Sequence, residues 1–202
     1  FLCISSPIFP ASLSYNVFMN IEKQMLTVNP FSRPGQKLQE VKGVVIHWVA
    51  NPGTSAQANR NYFESLKRQK KKDGARYASA HFIIGITGDV LQCLPIDEVA
   101  YHVGAWKYRD GIEYRLSSYP NNCTIGIELC HKNWTGAFTE ETLASAIVLT
   151  ATLLKQFSLN PQTDLYRHFD ITGKDCPRYF IGNLGAWIDF KCAVEKYLIS
   201  IL

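Results

Sequence analysis

No C-x-x-C pair occurs among the six cysteines, Cys3, Cys93, Cys123, Cys130, Cys176 and Cys192, and they stand far apart. This scatter argues against a secreted disulfide scaffold and reads as mostly reduced core thiols. Charge is also sparse: Asp, Glu, Lys and Arg make up 19% of the 202 residues against 47% hydrophobic ones, the balance of a globular chain. The sequence has no internal repeat, no low-complexity tract and no composition shift that would mark a second domain. Its length suffices for one core without disulfide or metal staples. The net charge of +4 suits an anionic polymer without selecting one.

Residues 1–18 carry no charge, and Pro7 and Pro10 interrupt them. A secretory signal needs a basic leading region and an unbroken apolar centre, and a spanning helix needs about 20 predominantly apolar residues. We therefore expect neither, no stable membrane insertion, and a native start at Met19. On this reading residues 1–18 are a disordered leader or translated upstream sequence, and residues 19–202 are one catalytic domain.

Periodicity predicts an α/β domain, a central mixed sheet flanked by helices. Val44 to Val49 reads as a buried strand, followed by a turn at Asn51-Pro52-Gly53. Thr54 is placed to cap a helix carrying Tyr62, Phe63 and Leu66 on one face. That helix ends in the basic run Lys67, Arg68, Lys70, Lys71 and Lys72, which reads as a solvated helix end or as a contact for an anionic polymer. Ser79 to Ile86 and Asp89 to Leu94 read as a hairpin around Thr87-Gly88. Residues 105–122 read as a long surface loop. Thr124 to Cys130 is a further buried strand. Helices follow from Thr139 to about Phe157 and at the chain's end, the latter with Trp187, Phe190, Val194, Tyr197, Leu198 and Ile201 on its apolar side.

Chemistry concentrates in Arg167-His168-Phe169-Asp170-Ile171-Thr172-Gly173-Lys174-Asp175-Cys176-Pro177. With Gly173 to bend it and Pro177 to stop it, such a loop can aim His168 and Cys176 at one point. Spacing alone supports a ligand pair and an unrelated pair equally. His47, at the end of its apolar strand, is a third potential ligand. Two histidines and one thiolate on zinc would leave a fourth position open for water, the mark of a catalytic site. Glu128 lies within Ile125-Gly126-Ile127-Glu128-Leu129. It is either a buried acid with a raised pKa, usable as a general base, or the exposed side of a half-buried strand. Lys174 reads either as a cation for a developing oxyanion or as an ordinary loop lysine.

Val45-Ile46-His47-Trp48, Ser79-Ala80-His81-Phe82, Ala100-Tyr101-His102-Val103-Gly104, Ile125-Gly126-Ile127-Glu128 and Arg167-His168 through Cys176-Pro177 resemble, in order, the segments of the zinc-dependent N-acetylmuramoyl-L-alanine amidases. That family shares its fold with animal peptidoglycan-recognition proteins. The resemblance spans about residues 40–200 and is greatest to endolysins and autolysins of Gram-positive spore-formers.

The resemblance implies one zinc ion on His47, His168 and Cys176, catalytic roles for Glu128 and Lys174, and peptidoglycan as substrate. It places His81 and His102 at positions that line the groove or support the site. Some relatives carry a catalytic tyrosine where Ala80 stands, so this chain should depend on Glu128 instead. Trp106, Tyr108, Tyr114 and Trp134 could wall a glycan or stem peptide, or simply pack locally. The implied localisation is cytoplasmic synthesis followed by action on the cell wall after release or export.

Three rivals remain open. A non-catalytic peptidoglycan-binding module of the same fold would be expected to lack Cys176. A cysteine hydrolase built on Cys176 and His168 would not need His47. A nucleic-acid binder would need a base-reading motif beside its basic run, and none is present.

Overall fold

The computed structural model describes residues 20–70 and 74–202. The expectations for residues 1–18, for the start at Met19, and for Lys71 and Lys72 lie outside the described residues.

Six strands form one sheet: β1 (Ile21–Lys23), β2 (Gly43–Trp48), β3 (Phe82–Ile84), β4 (Val90–Gln92), β5 (Thr124–Leu129) and β6 (Leu165–Arg167), in spatial order β1-β4-β3-β5-β2-β6. β3, β5, β2 and β6 run parallel to one another; β4 is antiparallel to β3, and β1 is parallel to β4. The helices are α1 (Ala56–Ser65), α2 (Ile112–Arg115), α3 (Glu140–Gln156), α4 (His168–Thr172), α5 (Arg178–Gly182) and α6 (Leu184–Ser200).

Both faces of the sheet are covered, which is why β2 is buried along its whole length. On one face Val44, Ile46, Ile125, Ile127 and Leu129 pack with Leu143, Ile147 and Leu154 of α3 and Phe190 and Val194 of α6. On the other, Ile83 and Leu91 pack with Phe63 of α1, while Val45 and Tyr166 pack with Ile112, Leu116 and Ile171. Strand alternation sends Val45 and His47 to this second face, away from α3 and α6.

The hairpin turn forms as predicted, with Gly88 at φ +83°. Its backbone is tied to the start of α3: Thr139 Oγ1 donates to Ile86 O (2.6 Å), Thr142 Oγ1 to Gly85 O (2.8 Å) and Ser145 Oγ to Gly88 O (2.7 Å). Thr139 also caps α3, accepting from Thr142 N at 3.1 Å.

The structure corrects several expectations. Ser55, not Thr54, caps α1, accepting from Ala58 N, while Thr54 Oγ1 donates back to Asn51 O in the preceding turn. Tyr62 faces solvent, because the buried side of α1 runs through Ala56, Asn59 and Phe63. Residues 105–122 are not loop throughout: they contain α2 and a 3-10 turn at Pro120–Asn122. Cys93, Cys123, Cys130 and Cys176 are free and buried, as expected, whereas Cys192 is disulfide-bonded. Among the described residues no helix is long and apolar enough to cross a membrane.

Candidate metal centre

The site lies at the carboxyl ends of β2, β5 and β6, where parallel α/β sheets open their crevices. His47 is the penultimate residue of β2, and its register partner across the parallel ladder is Glu128 of β5. Register partners on neighbouring strands are about 4.8 Å apart and project to the same face. The sheet itself therefore sets the acid beside the histidine.

His168 follows β6 directly and opens α4, so the segment expected to be a loop is helical at its start. Asp170 holds that start: its carboxylate accepts from Arg167 N at 2.8 Å and pairs with the Arg167 guanidinium at 2.7 Å. Gly173, at φ +78°, ends α4 in the left-handed conformation and turns the chain back. Phe169 N then donates to Cys176 O at 2.8 Å, which returns Cys176 to the vicinity of His168.

Three donors converge as a result. His47 Nδ1 stands 3.1 Å from His168 Nδ1 and 3.6 Å from Cys176 Sγ. All three residues are buried, and their donor atoms lie within 4.8 Å of one another. Among the described residues this is the only such cluster capable of holding a metal ion.

Burial governs the electrostatics. It is the main force driving the pKa of His47 well below the usual imidazole range, reinforced by His168, His102 and Lys174. His168 is pushed down to about 3 by burial and then by Lys174. Both rings are thus neutral near pH 7, the form a metal requires. Burial pushes the Cys176 thiol well above its ordinary value, and the Glu128 charge adds to this, against a hydrogen bond from the Trp48 backbone. An uncomplexed Cys176 is therefore a thiol and a poor nucleophile, which weighs against the cysteine-hydrolase rival. Glu128 is half-buried, but its Oε2 is enclosed and has no hydrogen-bond partner among the described residues. Desolvation raises its pKa to about 8.

These side chains line a cavity of about 390 Å³ together with Lys174, His102, Asn121, Tyr77, Tyr101 and Tyr119. Lys174 is exposed, and its Nζ donates to Gly104 O at 3.2 Å. His102 touches the centre directly, its Nδ1 3.0 Å from His47 Nε2. His81 lies behind the wall rather than on it. It is fully buried, its Nδ1 accepts from Gly126 N (3.0 Å), and its Nε2 donates to Glu98 O (2.9 Å), so neither nitrogen is left for a substrate. Ala80 is also fully buried. Trp134 sits edge-on to Trp48 at 6.2 Å, with its ring largely exposed. Trp106 is fully exposed and lines a separate cavity with Tyr108, Tyr114 and Tyr119.

The three groove tyrosines and Asn121 were not singled out from the sequence. Tyr77 and Tyr101 meet edge-to-face at 5.7 Å, a contact made across segments remote in the chain. Only the tyrosine preceding His102, within a segment already marked, was available as a signal.

Fold and site together define an α/β domain that presents two imidazoles and a thiol as a candidate metal centre, with a buried carboxylate beside it. The family model described as N-acetylmuramoyl-L-alanine amidase matches residues 37–179, and the chain belongs to that family. It is 36% identical over 186 residues to the N-acetylmuramoyl-L-alanine amidase BlyA of Bacillus subtilis (strain 168), covering 89% of this chain and 47% of that protein. A mutant endolysin from Bacillus subtilis superposes with a TM-score of 0.64 at 25% identity, covering 87% of this chain and 99% of the other. The PlyG catalytic domain superposes with a TM-score of 0.67 at 18% identity, covering 90% and 96%. The chain spans about half the length of the curated relatives it matches, 47% and 48% for two of them.

Proposed function

We propose that this chain is a zinc-dependent N-acetylmuramoyl-L-alanine amidase that hydrolyses the amide between N-acetylmuramic acid and L-alanine in peptidoglycan. The observation that carries the reading is the convergence of His47 Nδ1, His168 Nδ1 and Cys176 Sγ beside Glu128. The donor set fits zinc. Bond lengths of about 2.0–2.1 Å to nitrogen and 2.3 Å to sulfur imply tetrahedral separations of about 3.3 Å between nitrogens and about 3.6 Å between nitrogen and sulfur. The observed separations are 3.1 and 3.6 Å. His47, His168 and Cys176 would hold the ion, and when bound it would supply Lewis acidity and a water acidified toward neutral pH.

The chain's own residues do the rest. Glu128 takes the proton from the attacking water at its carboxylate and returns it to the departing L-alanine nitrogen. Its enclosure suits the task, because a pKa near the working pH balances accepting a proton against giving it back. Lys174 holds a cation at the mouth of the cavity, where it stabilises the oxyanion that develops on the lactyl carbonyl. The cavity walls limit water around the reacting bond. The substrate, a glycan strand with stem peptide, lies outside the membrane, so the protein acts on the wall after release or export.

The test is product analysis. Zinc-loaded protein is incubated with purified Gram-positive peptidoglycan, with and without chelator, and the fragments are identified by mass spectrometry. Stem peptides with a free L-alanine amino terminus, released only with metal, are expected. New reducing sugar ends, or cuts insensitive to chelator, would overturn the bond or the metal. Wall binding without product would favour the recognition module.

A further inference from the structure

We infer that His102 is a positioning residue that fixes the tautomer of His47, and that Thr124 in turn fixes His102. The chain of reasoning begins at Thr124. Its hydroxyl is committed as a donor, since Thr124 Oγ1 donates to Pro120 O at 2.7 Å. Both Thr124 oxygens near His102 Nε2, the carbonyl at 3.2 Å and Oγ1 at 3.1 Å, can then only accept from it. The His102 proton is therefore on Nε2, and Nδ1 carries a lone pair. That lone pair faces His47 Nε2 at 3.0 Å, so His47 must donate there. A neutral His47 with its proton on Nε2 has its lone pair on Nδ1, the atom directed at His168 and Cys176.

The surroundings hold this relay rigidly. His47 is 1% exposed and His102 7%, so no bulk water competes for either bond. Asn121 Oδ1 accepts from the backbone N of both His102 and Val103, fixing the chain that carries the ring. The ring lies against β5 at Gly126, where an added Cβ would come within 2.6 Å of His102 Cγ. A larger residue at that position would displace the ring. Buried His81 meets the other edge of His102 at a centroid distance of 5.9 Å. His102 therefore acts through His47 and needs no contact with substrate.

The consequence for zinc rests on the proposed function, but the tautomer belongs to the metal-free chain and is read there. Two-bond proton–nitrogen correlation spectra of the full chain labelled at histidine nitrogens, without metal, should show His47 protonated on Nε2. His102→Asn, which places an amide oxygen where Nδ1 stands, should keep this state and nearly the wild-type zinc dissociation constant. His102→Phe, which offers no acceptor, should mix the tautomers and weaken zinc binding by about 10- to 100-fold. Circular dichroism and thermal melts establish that each variant folds. A wild-type His47 protonated on Nδ1 would overturn the inference, as would a folded His102→Phe with unchanged zinc affinity. Should His102→Phe fail to fold, the wild-type and His102→Asn spectra still decide it. A wild-type chain that shows the Nε2–H tautomer but binds no zinc would overturn the proposed function and leave the relay standing.

Discussion

Glu128 occupies a strand whose neighbours Ile127 and Leu129 point into the α3/α6 core, while Glu128 itself points the opposite way, beside His47. Among the described residues, its enclosed Oε2 finds no hydrogen-bond partner to replace the water it lost on folding. A group held in that condition is costly unless the site uses it. Glu128→Gln should therefore keep zinc binding and the melting temperature while lowering kcat by about 100- to 10,000-fold, the usual weight of a general base. Lys174→Ala should lower kcat by about 100- to 1000-fold with zinc content unchanged. Steady-state kinetics with metal analysis would check both, and near-normal turnover would remove the residue from the mechanism. The sequence made His47, His168 and Cys176 visible because histidine and cysteine in marked segments are few. It could not decide whether Glu128 was enclosed, since alternation in a strand looks the same whether the second face meets solvent or a covered groove. Nor could it assign His102, whose partners Thr124 and His47 come from different strands.

Among the elements, α3 shows how capping and tertiary contact coincide. Thr139 caps the helix and at the same time donates to the hairpin at Ile86. Thr139→Ala should cost about 1–2 kcal/mol of stability, measured by urea unfolding, and leave zinc affinity intact because the lesion is on the far side of the sheet. This helix was legible from the sequence: its cap, two early acids and apolar period agree. So were β2 and β5, whose β-branched runs are buried on both faces. β1 and β6 were not. Each is three residues long and contains a charged residue, Ile21-Glu22-Lys23 and Leu165-Tyr166-Arg167, so no period can be counted. Ser55 displaced Thr54 as a cap because adjacent hydroxyls compete, and only the backbone path chooses between them.

At the level of the whole molecule, folding and pH are linked, and a bound metal would join that linkage. Burial lowers the His81 pKa from 6.5 to about 4. The unfolded chain thus binds a proton that the folded chain refuses, and stability falls as pH drops through the window from about 6.5 to about 4. His81 alone should account for about 3 kcal/mol of that loss. His81→Gln should make this part of the profile shallower, but not flat, in chemical denaturation of the metal-free protein, because buried His47, His102 and His168 lose stability through the same window; an unchanged slope would show that His81 does not contribute. Metal works in the opposite direction. Zinc at about 100 times its dissociation constant should add about 2.7 kcal/mol, or about 5–10 °C in melting temperature, and chelator should reverse it. A melting curve indifferent to both would mean that the centre binds no ion in the folded state.

The in-register pairing of His47 with Glu128 also divides the chain by its tolerance to insertion and deletion. One residue added or removed within β2 or β5 exchanges the two faces of the strand, sending His47 or Glu128 into the α3/α6 core and an isoleucine into the groove. The same change at exposed Trp106 or Lys107, between the His102 segment and the residues Ile112 and Leu116 that pack with Ile171, leaves both the ladder and that packing in place. Sequence length at that point is therefore the most tolerant of change, and it is the place to graft a new loop with least disturbance to the cluster around His47.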